Sequence, residues 1–251
     1  MTDVLVLCYH GVSERWPADL STTPARLERQ VRLLLDRGYR PVTFSEAVAA
    51  PPASRTVAVT FDDAYRSVIE LAFRVLSAFG FPGTVFAPTS FVGSDAPMAW
   101  PGIEQWLGGS YEGELRCMSW DQLAELDAAG WEIGSHSHTH PRLPVLADEA
   151  LAEELVQSRE LCAERIGKPC CSLAYPYGEH DERVVAAAAS AGYTAGATLP
   201  ARLHPSSPLR WPRIGVYRVD DLRRFRAKIS PTLRSLRGSR AWGLAAGLLA
   251  R

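Results

Sequence analysis

Residues 56–63 read TVAVTFDD, a short apolar run that is rich in β-branched side chains and ends in two adjacent aspartates. Because β-branched residues fit a pleated, buried surface, the run predicts a strand over Thr56–Phe61. Asp62 and Asp63 then stand at the carboxyl end of that strand. In a parallel barrel this is the end at which catalytic side chains collect, although an aspartate pair is equally suited to cap a following helix.

Similar short runs alternate with amphipathic helical patterns along almost the whole chain of 251 residues. Several of the helical patterns end at a glycine, as helices commonly do. Further strands are predicted at Val4–Tyr9, 41–44, Gly83–Ala87, 131–135, 173–175, 194–199 and 214–217. About seven such units in one chain predict an α/β fold, a distorted (β/α)7-8 barrel in a single domain, more readily than an open sheet.

The composition is that of an ordinary globular protein: 47% of the residues are hydrophobic, 22% are charged and the formal net charge is −1. A near-neutral chain offers no electrostatic attraction to nucleic acid, which we therefore do not expect as a partner. No apolar run approaches the roughly 20 residues of a transmembrane helix, and the first residues lack the basic segment of a secretory signal. Since the five cysteines contain no CxxC pair, we expect reduced thiols and a cytoplasmic location.

We expect the barrel over residues 1–220 and a basic C-terminal helical tail over 221–251. From residue 222 onward the chain has eight Lys and Arg residues and no acidic one, together with Trp242 and an apolar run at 244–249. Such a segment can lie on an anionic membrane, which would associate the protein peripherally with the inner face of the membrane. A helix that packs on the barrel with its basic side in water is the simpler interpretation.

Three other predicted strands also end in polar side chains. The first is followed by His10, the fifth runs into SHSHTH at 135–140, and the sixth is followed by YPYG, which ends at Gly178. Each alone has an ordinary explanation in a turn or a cap, but four such ends at one face of a barrel predict a functional site. If SHSHTH were fully extended, its three histidines would point to one face, whereas a strand that turns into a loop brings a different subset together.

The residue types at these strand ends suit one kind of chemistry. Two imidazoles and a carboxylate form a facial ligand set for a divalent metal, with positions left for water and substrate. A second carboxylate beside the first can accept the proton of that water, and a further histidine can protonate a leaving group. The set therefore predicts hydrolysis of an amide or an ester.

TFDD at 60–63, the H-S-x-x-H pattern at 136–140 and YPYG at 175–178 occur in an order that resembles the NodB-type polysaccharide deacetylases, carbohydrate esterase family 4. The resemblance extends over roughly residues 4–217. It implies a single NodB-homology barrel and a bound divalent metal, with Zn²⁺ favoured and Co²⁺, Ni²⁺ or Fe²⁺ also accepted.

The resemblance also implies roles for individual residues. Asp62 would be the catalytic base, and the backbone N–H of Tyr177 would bind the oxyanion. The metal ligands would be Asp63, His136 and His140. His138 would then serve only as a spacer.

The sequence departs from the family pattern in two places. The third motif usually begins with an arginine that orients the base, but this position is Ala174, and we take Arg213 as a candidate replacement. Family members usually carry a Leu-x-His motif near the C-terminus that supplies the general acid, yet no histidine follows Arg213. LCYH at 7–10 instead resembles the N-terminal arrangement of circularly permuted members that act on poly-N-acetylglucosamine, which implies His10 as the acid.

Together these features predict a metal-dependent hydrolase that removes N-acetyl groups from an N-acetylated carbohydrate, polymeric or lipid-linked, and releases acetate. Two alternatives stay open: a hydrolase of a non-sugar amide or an O-acetyl ester on the same scaffold, and a catalytically silent carbohydrate-binding module. An insertion at 89–118 carries Trp100 and Trp106, which either stack on sugar rings or form a hydrophobic flap.

Overall fold

A computed structural model describes residues 3–49, 55–200, 203 and 207–238 of the chain. Its strands are β1 (Val4–Tyr9), β2 (Gly11–Val12), β3 (Ser21–Thr22), β4 (Arg40–Val42), β5 (Thr56–Phe61), β6 (Gly83–Ala87), β7 (Glu132–Ser135), β8 (Ser172–Ala174), β9 (Ala195–Thr198), β10 (Trp211–Pro212) and β11 (Ile214–Gly215). Within the described residues, nine of them form one sheet in the order β10-β9-β8-β7-β6-β5-β1-β11, with β4 beside β5. All of these pairings are parallel, and β2 and β3 pair separately.

Helices connect most of the strands. They are α1 (Pro24–Asp36), α2 (Phe44–Ala49), α3 (Phe73–Ser77), α4 (Trp120–Ala128), α5 (Asp148–Ile166), α6 (Glu182–Ser190), α7 (Leu222–Lys228) and α8 (Pro231–Gly238). α4 begins with a capping box, in which Ser119 and Gln122 each bond the other's backbone N–H, and α5 ends at Gly167 in the left-handed conformation. The predicted α/β barrel of seven to eight units is confirmed.

The segment 211–215 closes the barrel. β10 pairs with β9 and β11 pairs with β1, and only Arg213 lies between these two short strands. The sequence predicts the last strand near 214–217, and the structure confirms a strand there, although β11 is shorter and ends at Gly215. The prediction omits β10 at Trp211–Pro212, because a proline inside a run argues against a strand.

The strands are buried on both faces, so their side chains divide between two layers. In β1, Leu5 belongs to the large cluster between the barrel and its helices, whereas Val6 belongs to a smaller cluster with Phe86 and Ala174. Since successive side chains of a strand point to opposite faces, the smaller cluster is the barrel interior. Many of its members are alanines, and Arg213 enters this space, with its guanidinium carbon 5.4 Å from the centre of the Phe86 ring.

The helix predicted after the aspartate pair contains a π-helical turn near its start. Val68–Ala72 form a π-helix, and α3 continues from it. The first and last residues of the π-helix and Leu76 of α3 are all fully buried, so the apolar stripe seen in the sequence still faces the core. π-helical turns are rare and often accompany functional sites, and this one follows directly on the loop of the aspartates.

α7 and α8 pack on the barrel through a few buried or charged side chains. Phe225 of α7 is fully buried, and Arg234 of α8 pairs with Asp3 and donates to the Tyr39 hydroxyl at 3.2 Å. The apolar run 244–249 and Trp242, on which the predicted membrane contact depends, lie outside the described residues. None of the described helices combines the length and the hydropathy of a bilayer-spanning segment.

Candidate active site

The carboxyl ends of several parallel strands meet at one face of the barrel, together with the segment that closes it. This face gathers every site residue that was predicted from the sequence, namely His10, Asp62, Asp63, His136, His140, Tyr177 and Arg213. They form two groups that differ in chemistry, one around Asp63 and one around Asp62.

Asp63, His136 and His140 form a buried cluster. Asp63 Oδ1 lies 3.3 Å from Nε2 of His136 and 3.4 Å from Nε2 of His140. One ligand atom from each residue lies within 4.8 Å of the other two, and none of the three residues is more than 4% exposed. A carboxylate and two imidazoles that face one point are a ligand set suited to divalent transition metals.

The hydrogen bonding of this cluster supports a cation between its atoms. Nδ1 of His136 lies 2.7 Å from the carbonyl oxygen of Ala174, which can only accept, so Nδ1 carries a proton and Nε2 is the nitrogen that faces Asp63. Burial, reinforced by the charge of His136, lowers the pKa of His140 to about 3, so that the His140 ring is neutral. Asp63 Oδ1 is buried and has no hydrogen-bond partner. A buried carboxylate oxygen without a hydrogen-bond partner, faced by two imidazole nitrogens, fits the divalent metal that the sequence implies.

The same cluster also stabilises positive charge in the form of a proton on His136. Burial alone would lower the pKa of His136, but the negative charges of Asp62 and Asp63 outweigh it and raise the pKa. Burial would likewise raise the pKa of Asp63, and the imidazoles of His136 and His140 lower it instead. The cluster therefore stabilises a cation at the point that its three side chains face.

Asp62 has a different set of neighbours. Arg213 donates through Nη1 to Oδ1 at 2.6 Å and through Nη2 to Oδ2 at 2.7 Å, a bidentate pair. Nη1 also donates to the Thr60 hydroxyl at 3.0 Å. Burial would raise the pKa of Asp62, but the Arg213 guanidinium outweighs it and holds the pKa well below its usual range. Asp62 is therefore a fixed anion at neutral pH.

His10 and Cys8 complete the group around Asp62. Atoms of the three residues lie within 4.8 Å of one another, and the Cys8 thiol donates to Asp62 Oδ2 at 3.4 Å. Burial lowers the pKa of His10, although Asp63 and Asp62 act against it, and burial raises the pKa of the Cys8 thiol well above its usual value. Because Arg213 already occupies both oxygens of Asp62, this second group is a poor place for a cation.

The SHSHTH stretch leaves β7 and turns at once into a loop. Ser137 and His140 adopt positive φ values of 62° and 61°, and Nδ1 of His138 lies 2.9 Å from the Thr89 hydroxyl. The loop thus places His136 and His140 in the cluster and His138 outside it.

Glu154 of α5 holds this loop in place. Its Oε2 accepts the backbone N–H groups of His138 and Thr139 at 2.8 Å each, and its Oε1 accepts the Thr139 hydroxyl. Sequence reasoning missed this residue because α5 contains five glutamates and nothing local distinguishes the one that faces the loop. It missed Cys8 and Thr60 because their role depends on which face of a strand lies inside the barrel.

Backbone strain is concentrated in the loops of the site. Among the described residues, those other than glycine that have a positive φ all lie in three of these loops: Asp63, Ala64, Ser137, His140 and Tyr177. Such conformations cost roughly 1–3 kcal/mol each and persist only where the surroundings enforce them. The rest of the fold therefore determines the geometry of these three loops.

Tyr177 forms part of the rim of the cluster. Its φ of 60° lies inside the short turn Pro176–Gly178. Its ring centre lies 4.8 Å from that of His140, and the Arg142 guanidinium carbon lies 4.6 Å from the centre of the Tyr177 ring. Arg142 also pairs with Glu179, so an ion pair flanks the exposed side of the tyrosine.

The two tryptophans of the insertion 89–118 have different positions. Trp100 is only 7% exposed and stacks on His140, with the ring centres 4.0 Å apart. Trp106 packs edge-on against Trp16, at 6.1 Å between ring centres. For Trp100 the structure favours the hydrophobic flap over an open sugar-stacking surface.

A family model matches the part of the chain that carries most of these residues. The sequence model described as Polysaccharide deacetylase matches residues 49–196, more than half of the chain. The chain belongs to the polysaccharide deacetylase family. The matched part of this family member includes the aspartate pair, the histidine loop and Tyr177, whereas His10 and Arg213 lie outside it.

Relatives of known sequence or structure agree with this assignment. The chain is 25% identical over 198 residues to YxkH of Bacillus subtilis (strain 168), which is named as a polysaccharide deacetylase. The alignment covers 77% of the chain but only 63% of YxkH. A polysaccharide deacetylase of Bacillus anthracis has a similar structure, with a TM-score of 0.74 and 25% identity over 90% of this chain and 69% of that chain. The fold is also shared by a de-N-acetylase from Aggregatibacter actinomycetemcomitans, with a TM-score of 0.73 and 19% identity over 90% of this chain and 99% of that chain.

Proposed function

We propose that this member of the polysaccharide deacetylase family is a metal-dependent de-N-acetylase, a hydrolase that removes N-acetyl groups from an N-acetylated sugar and releases acetate. The observation that carries the proposal is the contrast between adjacent aspartates. Asp63 faces the Nε2 atoms of His136 and His140, whereas Asp62 is held as an anion by Arg213. A module that only binds neutral sugars has no need of such a pair.

Asp63, His136 and His140 would hold the metal, with Zn²⁺ favoured and Co²⁺, Ni²⁺ or Fe²⁺ compatible with the same ligands. When bound, a divalent ion supplies polarisation of the acetyl carbonyl and a lower pKa for water. The Ala174 carbonyl fixes the tautomer of His136 for this purpose, because it keeps the proton on Nδ1.

Asp62 acts as the general base. Its carboxylate accepts a proton from the water that attacks the acetyl carbonyl, a role typically worth about 10²–10⁴ in rate. Arg213 keeps Asp62 ionised and fixes its orientation, since two parallel hydrogen bonds hold both oxygens. Because the base is already held in position, little further entropy is lost when it reaches the reacting atoms.

His10 and Tyr177 act later in the reaction. The Tyr177 backbone N–H donates to the oxyanion that forms at the carbonyl, a contribution of about 3 kcal/mol for a well-placed donor. His10 donates a proton to the departing amine nitrogen as the C–N bond breaks. Water and amide are thereby converted into acetate and the free amino sugar.

An acetate-release assay on N-acetylglucosamine oligomers, free and lipid-linked, tests the proposal. We expect release by the protein with Zn²⁺ or Co²⁺, loss of release after chelation, and recovery when the metal is restored. His136→Ala should hold no stoichiometric metal and release no acetate, whereas His180→Ala, a histidine that contacts the Gly178 carbonyl instead of the cluster, should resemble the wild type. Full activity of a metal-free His136→Ala protein would contradict the mechanism.

The same assay separates the alternatives. Release from O-acetyl esters or non-sugar amides without release from N-acetyl sugars indicates a different hydrolase on this scaffold. Sugar binding without acetate release and without bound metal indicates a silent carbohydrate-binding module.

A further inference from the structure

The two histidines of the cluster differ in what holds the second nitrogen of each ring. A metal-binding histidine almost always donates its other N–H to a carbonyl, a carboxylate or a water, and His136 does so to the Ala174 carbonyl at 2.7 Å. Nδ1 of His140 is buried and has no hydrogen-bond partner. The orientation of the His140 ring must therefore depend on another kind of contact.

Aromatic rings supply that contact. Trp100 lies nearly parallel to His140, with ring centres 4.0 Å apart and an interplanar angle of 24°. Tyr177 approaches the same imidazole at 62°, with ring centres 4.8 Å apart. Trp100 is itself fixed, since Phe91 packs edge-on against it at 5.2 Å between ring centres.

The flap that carries Trp100 is fastened to the loop of the aspartates. The backbone N–H of Met118 donates to the Ala64 carbonyl at 2.9 Å, and that of Arg66 donates to the Arg116 carbonyl at 2.8 Å. Ala64 follows Asp63 directly, so the same backbone contacts fix the flap relative to that carboxylate. The indole thus has a defined place with respect to two of the three residues of the cluster.

We propose that Trp100 is a positioning residue of the metal site, whose indole orients His140 in place of the missing hydrogen bond. The electron-rich face of an indole attracts a cationic ring. An imidazole that shares the charge of a divalent ion gains cationic character, so the stack strengthens when the metal binds. The inference rests on the metal site of the proposed function and concerns binding of the ion, before any substrate is present.

Equilibrium binding of Co²⁺ and Zn²⁺ to the full chain, without substrate, tests this role. Trp100→Leu keeps an apolar side chain but removes the aromatic face. We expect it to weaken Co²⁺ binding about tenfold or more, the range for loss of a group that orients a metal ligand, and to change the visible spectrum of bound Co²⁺. Trp100→Phe should recover most of the affinity and the wild-type spectrum, because it retains an aromatic face.

Trp106→Leu is the matched control, since Trp106 lies in the same flap but packs on Trp16 and Tyr111 instead of a histidine. It should bind Co²⁺ like the wild type. If Trp100→Leu fails to fold by far-ultraviolet circular dichroism, Trp100→Met takes its place with the same expectation.

Wild-type affinity and an unchanged Co²⁺ spectrum in the folded leucine or methionine variant would overturn the role of Trp100 and leave the proposed function intact. If the wild type itself binds no Co²⁺ or Zn²⁺, the proposed function fails together with the inference. The two failures are therefore distinguishable.

Discussion

Asp62 and Asp63 are neighbours in the chain, yet their surroundings are opposite in kind. Asp62 is surrounded by hydrogen-bond donors, the guanidinium of Arg213 and the thiol of Cys8. Asp63 faces two imidazole nitrogens, and its Oδ1 has no hydrogen-bond partner. One carboxylate is satisfied by donors of the protein, whereas an oxygen of the other faces two imidazoles without a hydrogen-bond partner.

The backbone separates the two carboxylates. Asp63 has a φ of 68° and Ala64 one of 50°, so the chain turns sharply between the end of β5 and the π-helix. Aspartate tolerates this left-handed conformation better than most residues. Two identical side chains thus acquire different surroundings from their neighbours. Variants of those neighbours test whether the roles of the two aspartates differ as proposed.

Arg213→Met should have the largest effect among variants that keep both aspartates. Because Asp62 would become a buried charge without a partner, we expect a loss of about 3–5 kcal/mol in the free energy of unfolding and a fall of about 10²-fold or more in acetate release. Metal content should stay close to one ion per chain. Urea unfolding, the acetate assay and metal analysis check these three outcomes, and loss of the metal with an intact rate would contradict the comparison.

The loss of stability in Arg213→Met should depend on pH with a defined sign. In the wild type the pKa of Asp62 lies below its unfolded value, so its contribution to stability is present above about pH 4 and is lost as the pH falls through the folded pKa. In Arg213→Met burial raises the pKa of Asp62, and protonation relieves the unpaired charge. The difference in the free energy of unfolding between the wild type and Arg213→Met should therefore become smaller as the pH falls. Arg210 lies in the same segment and pairs with the exposed Glu182, whose pKa it lowers. Because that pair is exposed to solvent, Arg210→Met should show a much smaller trend of the same sign.

His10→Asn should have the next largest effect, and this effect should be on turnover and not on metal binding. Removal of a general acid typically costs about 10²-fold or more in rate, whereas metal binding should be unchanged because His10 lies on the Asp62 side of the site. The wild-type rate should fall on the alkaline side as His10 loses its proton, at a lower pH than for an exposed imidazole, since burial lowers the pKa of His10. The rate–pH profile of the variant should lack this alkaline fall, and a fall of the same shape would exclude His10 as the acid.

Glu154→Gln should have the smallest effect. It retains one acceptor for the histidine loop but loses the charge, so we expect a loss of about 1–2 kcal/mol in the free energy of unfolding and a few-fold weaker metal binding. Glu153→Gln is the matched control. Glu153 directly precedes Glu154 in the chain, is exposed on α5 and, among the described hydrogen bonds, accepts only from Gln157. Equal effects of the two substitutions would show that Glu154 does not hold the loop.

The sequence predicts this barrel well wherever the signal is local. Strands rich in β-branched residues, a helix that begins with a capping box and the order of the three motifs all follow from residues close together in the chain. Asp62 and Asp63 can be found in this way because they directly follow a strand with a clear β-branched pattern.

Contacts between distant residues are harder to predict. Arg213 was inferred only because Ala174 occupies the usual arginine position, and its bidentate pair with Asp62 depends on the closing of the barrel. Pro212 concealed only β10, since proline removes a hydrogen-bond donor and argues against a strand, whereas β11 lies where the last strand is predicted. The stack of Trp100 on His140 depends on how an irregular flap folds, which no periodic pattern reveals.

The contrast between the two aspartates is tested most directly by metal analysis of Asp62→Asn and Asp63→Asn, purified in parallel and loaded with Zn²⁺. The account predicts that Asp62→Asn holds about one ion per chain, like the wild type, and releases acetate at least about 10²-fold more slowly. Asp63→Asn should lose both the ion and the activity, because a carboxylate ligand is replaced by a neutral amide. Equal loss of the ion in both variants, or its loss in Asp62→Asn alone, would contradict the account.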